Sequence, residues 1–224
     1  MKILFNYTTR SRRSNFLRGI ESIINNISDK FNYHILISVE NEFNDSCMHP
    51  LPTLDCPHSY RVNPNKSTTK IDAINRDLNE FLLLYDADII INMSDDMVFN
   101  RKGFDNVIRS QFGLALDFIN LDLCLHLPDG NRNDLITMSI LGRVYYERFK
   151  YIYHPEYKSL YCDNEQTDVS KLLGCYKYVN ENILLHLHPA YNKAAFDAQY
   201  QFTESFGSED ERTYLNRKQI NFGI

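Results

Sequence analysis

Two adjacent carboxylates, Asp95 and Asp96, follow an almost wholly apolar run, Asp88-Ile-Ile-Ile-Asn-Met93. A short β-branched run of this kind reads as a buried strand of a parallel sheet. The pair then falls at the carboxyl end of a strand, where open α/β sheets bind ligands. Side by side the two charges repel, and no basic residue neighbours them in the sequence. A divalent cation that also grips a diphosphate would neutralise them, because Mg²⁺ and Mn²⁺ favour one or two carboxylates plus phosphate oxygens. A solvated acidic turn capping the next helix accounts for the same residues equally well.

Three other groups could do chemistry. Asp163-Asn-Glu165 follows an aromatic stretch and precedes a short helix. Asp163 would serve there either as a helix N-terminal residue or as a general base that takes a proton from a hydroxyl. His186-Leu-His188 would put both imidazoles on one face of a strand, as a metal ligand or as one core and one exposed histidine. Arg212, Arg217 and Lys218 could meet a phosphate or simply solvate a helix face. There is no GxxxxGK[ST] and no GxGxxG, and the chain has only 8 glycines. Phosphates would therefore have to be held by a metal and basic side chains rather than by a glycine loop.

The elements that must position these residues alternate between strand and helix over the first hundred positions. Lys2–Tyr7, Tyr33–Val39, Ser59–Val62 and Asp88–Met93 read as strands. Phe16 to Ile27 and Ile71 to Leu82 each carry one apolar helical face. A parallel, doubly wound sheet is the expected result. Residues 103–118 read as a helix, 121–127 and 136–141 as strands around a Pro128-Asp-Gly-Asn131 turn. A short helix is expected over 168–173, a strand over 182–188, and helices over 190–202 and 209–220. No repeat or linker divides the 224 residues, which suits a single domain with its ligand-binding half at 1–100.

Composition narrows the class. With 43% hydrophobic and 24% charged residues the chain fits a soluble globular protein, and a net charge of −5 argues against stable nucleic-acid binding. No apolar run reaches the length of a membrane span and no signal peptide opens the chain, so a cytoplasmic location is expected. The five cysteines form no CxxC pair, which speaks against a disulfide framework or a cysteine zinc site.

Taken in order, these motifs resemble the glycosyltransferases of family 2 type with a GT-A fold. The resemblance runs over nearly the whole chain. Thr8-Thr-Arg-Ser-Arg12 and the helix with Glu21-Ser-Ile23 look like the family's opening. Lys70-Ile-Asp-Ala-Ile-Asn75 is similar to the segment ahead of the metal-site strand. Ser94-Asp95-Asp96-Met97 matches the DXD motif, and Gly103-Phe104-Asp105 resembles the "GWD" that often follows. Tyr153-His-Pro-Glu-Tyr157 and Tyr161-Cys-Asp-Asn-Glu165 resemble the acceptor side. The resemblance implies a mostly parallel Rossmann-like sheet with a small mixed acceptor-side region (101–224). It implies transfer of a sugar from a nucleotide-sugar donor to a glycan or other hydroxyl acceptor, with inversion. Asp96 with Asp95 would hold Mn²⁺ or Mg²⁺, with His186 or His188 completing the site. Asp163 would be the base, with Glu165 as second choice. Thr8, Arg10, Arg12, Glu40, Lys70 and Asn75 would lie near base, ribose or phosphate, and Arg212 or Arg217 would close over the diphosphate.

The chain departs from the family at Glu40-Asn41, where an aspartate usually meets the nucleobase, and in reading Ser-Asp-Asp and Asp-Asn-Glu at the two acidic motifs. A sugar nucleotidyltransferase is the enzyme alternative, although Thr8 to Arg13 lacks that class's glycines. A non-catalytic module that binds nucleotide or sugar is the alternative outside the enzymes.

Overall fold

Strand β1 (Ile3–Thr8) is buried on both faces, and its neighbours tell why. Ile3, Phe5 and Tyr7 point into one apolar cluster, and Leu4 points into another. This period-two division repeats in β2 (Tyr33–Glu40) and β4 (Ile89–Met93), so the sheet needs helices on both sides. Helix α1 (Arg13–Asn26) covers the first face with Phe16, Ile20 and Ile23. Its Gly19 lies against the Tyr7 ring, where a Cβ would collide with the phenol oxygen. Helix α2 (Lys70–Leu84) covers the second face with Ile71, Ile74, Leu78, Phe81 and Leu82. It starts at Thr69, whose side chain accepts from the Asp72 N–H at 3.0 Å. Each fully buried isoleucine of β4 contributes roughly 1.5–3 kcal/mol.

The computed structural model describes residues 1–65, 69–114 and 118–224. Further along the chain come β3 (His58–Asn63), β5 (Met97–Phe99), α3 (Phe104–Phe112), β6 (Gly113–Leu114), β7 (Phe118–Ile119) and β8 (Cys124–His126). They are followed by β9 (Ile140–Gly142), α4 (Arg143–Phe149), α5 (Cys162–Leu172), β10 (Tyr176–Tyr178), β11 (Leu184–His186), α6 (Ala198–Glu204) and α7 (Gly207–Gln219). Among the described residues seven strands form the main sheet, in the order β10-β8-β9-β4-β1-β2-β3. The pairs among β1 to β4 are parallel, as is β10 with β8, while β9 runs antiparallel to both its neighbours. The sheet is thus mostly parallel, as expected, but not uniformly so. Strands from both halves of the chain share it.

Several boundaries differ from the sequence reading. The helix expected over 103–118 ends at Phe112, and a short antiparallel pair, β6 with β7, follows; residues 115–117 of that span lie outside the described residues. The helix expected over 168–173 begins earlier, at Cys162, and so takes Asp163 and Glu165 into its first turn. The strand expected over 182–188 stops at His186, and a 3-10 turn over Pro189–Tyr191 follows, with His188 as its cap. The helix expected over 190–202 begins only at Ala198, capped by Asp197.

Candidate active site

Asp95 and Asp96 sit just past the end of β4, each only 6% exposed. Asp95 Oδ2 accepts from the Thr9 hydroxyl at 3.2 Å. Asp96 Oδ2 accepts from the Tyr200 hydroxyl at 2.8 Å and lies 3.4 Å from His186 Nε2. His186 arrives because β11 pairs antiparallel with β5, placing it opposite Met97, and because the Leu187 N–H donates to the Asp96 carbonyl at 2.6 Å. The other oxygen of each carboxylate, Asp95 Oδ1 and Asp96 Oδ1, is buried with no hydrogen-bond partner among the described residues. Such orphans carry a desolvation cost unless something positive meets them.

The two carboxyls titrate apart. Burial, reinforced by the Asp96 charge, pushes Asp95 up to about 8, against the pull of Thr9 and Arg12. Burial also works against ionising Asp96, but His186, Lys70 and Tyr200 outweigh it and hold that group well below the usual carboxylate range. Burial would lower His186, yet Asp129 and Asp96 together raise it to about 9.

Two cavities meet at Asp96. The first, with about 730 Å³ of empty space including its mouth, runs from Thr8 and Arg10 at the end of β1 to Glu40 at the end of β2. Glu40 is paired with Arg10 at 3.0 Å. The second, of about 660 Å³, contains Asp163, His186 and His188. Lys70, Ser94, Asp96, Tyr200 and Thr203 line both. Helix α6 forms their common roof: Arg12 stacks over the Tyr200 ring at 4.0 Å and pairs with Asp197, its Nε at 2.9 Å from Oδ2.

Asp163 opens into the second cavity from the first turn of α5. Burial raises its carboxyl pKa, and the Lys70 ammonium opposes this in part. The loop before it is pinned from a distance. Asp210 of α7 is wholly buried, and its carboxylate accepts from the N–H groups of Lys158, Ser159 and Leu160 at 2.7–2.8 Å.

Several residues singled out in the sequence stand elsewhere. Glu165 is buried and ion-paired in a fork with Arg217 at 2.7 and 2.8 Å, and it also accepts from the Tyr157 hydroxyl. Both its oxygens are engaged and it lines neither of these two cavities. Arg217 is held in that pair rather than over the cleft, and Arg212 is exposed on α7 away from both cavities. Asn75 ties α2 to the chain near Tyr153, donating to its carbonyl and accepting from the Ile152 N–H. His188 shares no strand face with His186, because the strand has already ended. Its ring packs on those of His186 and Tyr200, and its Nδ1 accepts from the Ala190 N–H. Thr9, Asp129, Asp197 and Tyr200 escaped the sequence reading as site residues; Asp129 carried a local signal as the Asp of the Pro128-Asp-Gly-Asn131 turn, and Asp197 one as an Asp placed to cap a helix.

Among the described residues no three His, Cys, Asp or Glu side chains come together to hold a metal ion. The donor set nonetheless suits a hard divalent cation that takes part of its shell from phosphate, since two buried carboxylate oxygens, adjacent in sequence, lack partners among the described residues. No helix among the described residues is long and apolar enough to cross a membrane.

No protein-family model matches the chain, and no curated protein matches it in sequence. Solved structures do resemble it. The mannosyltransferase PcManGT from Pyrobaculum calidifontis, in complex with GDP-Man and Mn²⁺, matches with a TM-score of 0.57 at 10% identity, over 80% of this chain and 54% of that one. TarS 1-349 of S. aureus in complex with UDP matches with a TM-score of 0.58 at 10% identity, over 82% of this chain and 59% of that one. A further TarS structure is matched over 86% of this chain and 38% of its own length, at 9% identity and a TM-score of 0.57. The chain therefore spans between about two fifths and three fifths of the structures it resembles. At such identities the likeness is one of fold: a GT-A-like α/β architecture found in glycosyltransferases.

Proposed function

We propose that the protein is a metal-dependent inverting glycosyltransferase of hexosyltransferase type, similar to family 2, that moves a sugar from a nucleotide-sugar donor to an acceptor hydroxyl. The observation that carries this reading is the shared wall of the two cavities. Asp96 and Lys70 border a cleft at the carboxyl edge of β1, β2 and β4 and, on its far side, a cavity containing the half-buried carboxyl group of Asp163. A donor in the first and an acceptor in the second would bring their reacting atoms together at that wall.

The first cavity suits a nucleoside diphosphate. Glu40, Arg10 and Thr8 would face the base and ribose, and Arg12 and Lys70 the diphosphate. Asp95 and Asp96 would hold Mn²⁺ or Mg²⁺, with His186 beside them. That ion would offset the charge that builds on the leaving diphosphate. Asp163, its pKa raised by burial, is suited to accept a proton from a hydroxyl. The acceptor oxygen forms its bond to the anomeric carbon while its proton passes to the Asp163 carboxylate. The bond from that carbon to the diphosphate oxygen breaks, and the electron pair leaves with the nucleoside diphosphate. Attack from the face opposite the leaving group inverts the anomeric centre. Lys70, adjoining both cavities, would steady the departing charge.

The neighbours carry GDP-Man with Mn²⁺ and UDP, so the test begins with those nucleotides. Melting temperature is measured with UDP and with GDP, with and without Mn²⁺, followed by release of nucleoside diphosphate from UDP- and GDP-sugars. Asp163→Asn should keep the metal-dependent thermal shift and lose at least about 100-fold in transfer. Transfer at wild-type rate would remove Asp163 as the base. Absence of any nucleotide shift would remove the donor site.

A further inference from the structure

The turn after β8 has no part in the chemistry described so far, yet its contacts converge on His186. Asp129 is 1% exposed. Its Oδ1 accepts from the N–H groups of Asn131 and Arg132, each at 2.8 Å, which fixes the carboxylate. Its Oδ2 lies 3.1 Å from His186 Nδ1. The His186 backbone is held as well. Its N–H donates to the Asp129 carbonyl at 2.8 Å, and its carbonyl accepts from Asn131 Nδ2 at 2.8 Å. Gly130 between them has φ +80°, and a Cβ there would stand 2.8 Å from Leu185 Cδ2, so the turn presses directly on β11. Backbone and ring are gripped by one turn, and Nε2 is left facing Asp96 Oδ2.

We infer that Asp129 is a positioning residue that orients His186 toward the cation site of Asp95 and Asp96, with Asn131 bracing the same histidine from its carbonyl. The inference rests on the metal-site reading above. Both Asp129 oxygens are engaged, so it acts through His186 and not on the ion. A carboxylate on the second nitrogen of a histidine fixes its tautomer and ring direction, and its loss weakens metal affinity about 10–100-fold. The Asp129-Gly-Asn131 turn would thus set how tightly the diphosphate cation is held.

The test is Mn²⁺ affinity in the presence of saturating UDP or GDP, read from the electron paramagnetic resonance signal of free Mn²⁺, which needs no turnover. Asp129→Asn is expected to weaken Mn²⁺ about 10–100-fold, and His186→Gln by a similar factor. The double variant is expected to be no weaker than His186→Gln alone, because the two residues act as one unit. Melting of the metal-free chain reports folding. If Asp129→Asn does not fold, Asn131→Ala replaces it, with an expected several-fold loss. Affinity within about twofold of wild type in the folded variant, or losses that add in the double variant, would overturn the inference. An unaltered chain that binds no Mn²⁺ with either nucleotide overturns the metal site and this inference together. Normal binding indifferent to Asp129 or Asn131 overturns the positioning role alone.

Discussion

The Tyr200 hydroxyl donates to Asp96 Oδ2 at 2.8 Å, joining residues 104 positions apart. The bond fastens α6 to the end of β4, and the Arg12–Asp197 pair fastens the same helix to the start of α1. Tyr200→Phe keeps the ring under Arg12 and removes only the donor to a buried carboxylate. It should cost about 1.5–3 kcal/mol and lower the melting temperature by roughly 3–12 °C for a chain of this size. Mn²⁺ with nucleoside diphosphate should restore part of that loss, since binding to the folded state stabilises it. An unchanged melting temperature would mean that the bond adds nothing to the fold.

Asp163 predicts two opposite dependences on pH. Its folded pKa lies above the unfolded value of about 3.9. Between those values the native chain binds more protons than the unfolded one, so stability falls as pH rises through the window. Activity runs the other way, because the base works as the carboxylate. kcat/KM should climb with pH through the folded pKa, with its acidic limb above that of an exposed aspartate. Asp163→Asn should flatten that part of the melting profile. A limb at the value of an exposed aspartate would contradict the role.

The Glu165–Arg217 fork is a buried ion pair, with exposures of 5% and 8%. Arg217→Ala leaves a buried carboxylate without its partner and should cost about 3–5 kcal/mol. Arg217→Lys should recover only part, since an ammonium cannot match both oxygens of the fork. Urea unfolding measures both changes. A loss under about 1 kcal/mol for the alanine variant would show that solvent replaces the arginine freely.

What could be read from the sequence depended on how local its cause was. The edge position of Asp95 and Asp96 followed from the isoleucine run before them, because burial on both faces of a sheet leaves few other patterns. The Glu165–Arg217 pair spans 52 positions, and nothing near either residue announces the other, so the sequence alone points both toward the cleft. Tyr200 looked like one of many aromatics. His188 fell out of its strand because Pro189 opens a 3-10 turn at once. The antiparallel β9 is three fully buried residues, and such a run carries no sign of direction; only its pairing between β4 and β8 supplies one.

Asp210 closes the loop at 158–160 from 50 positions downstream of Leu160. A ribosome adds roughly 5–20 residues per second, so Leu160 precedes its anchor by about 3–10 s. Throughout that delay three N–H groups that end in a buried cradle have only water to bond. The nascent strands β1 to β4 are already made and can pair, while the wall bearing Asp163 waits for α7. The strand edge bearing Asp95 and Asp96 can therefore take form during translation before the loop at 158–160 is fastened, and a chain arrested short of Asp210 would hold that edge beside an unanchored wall.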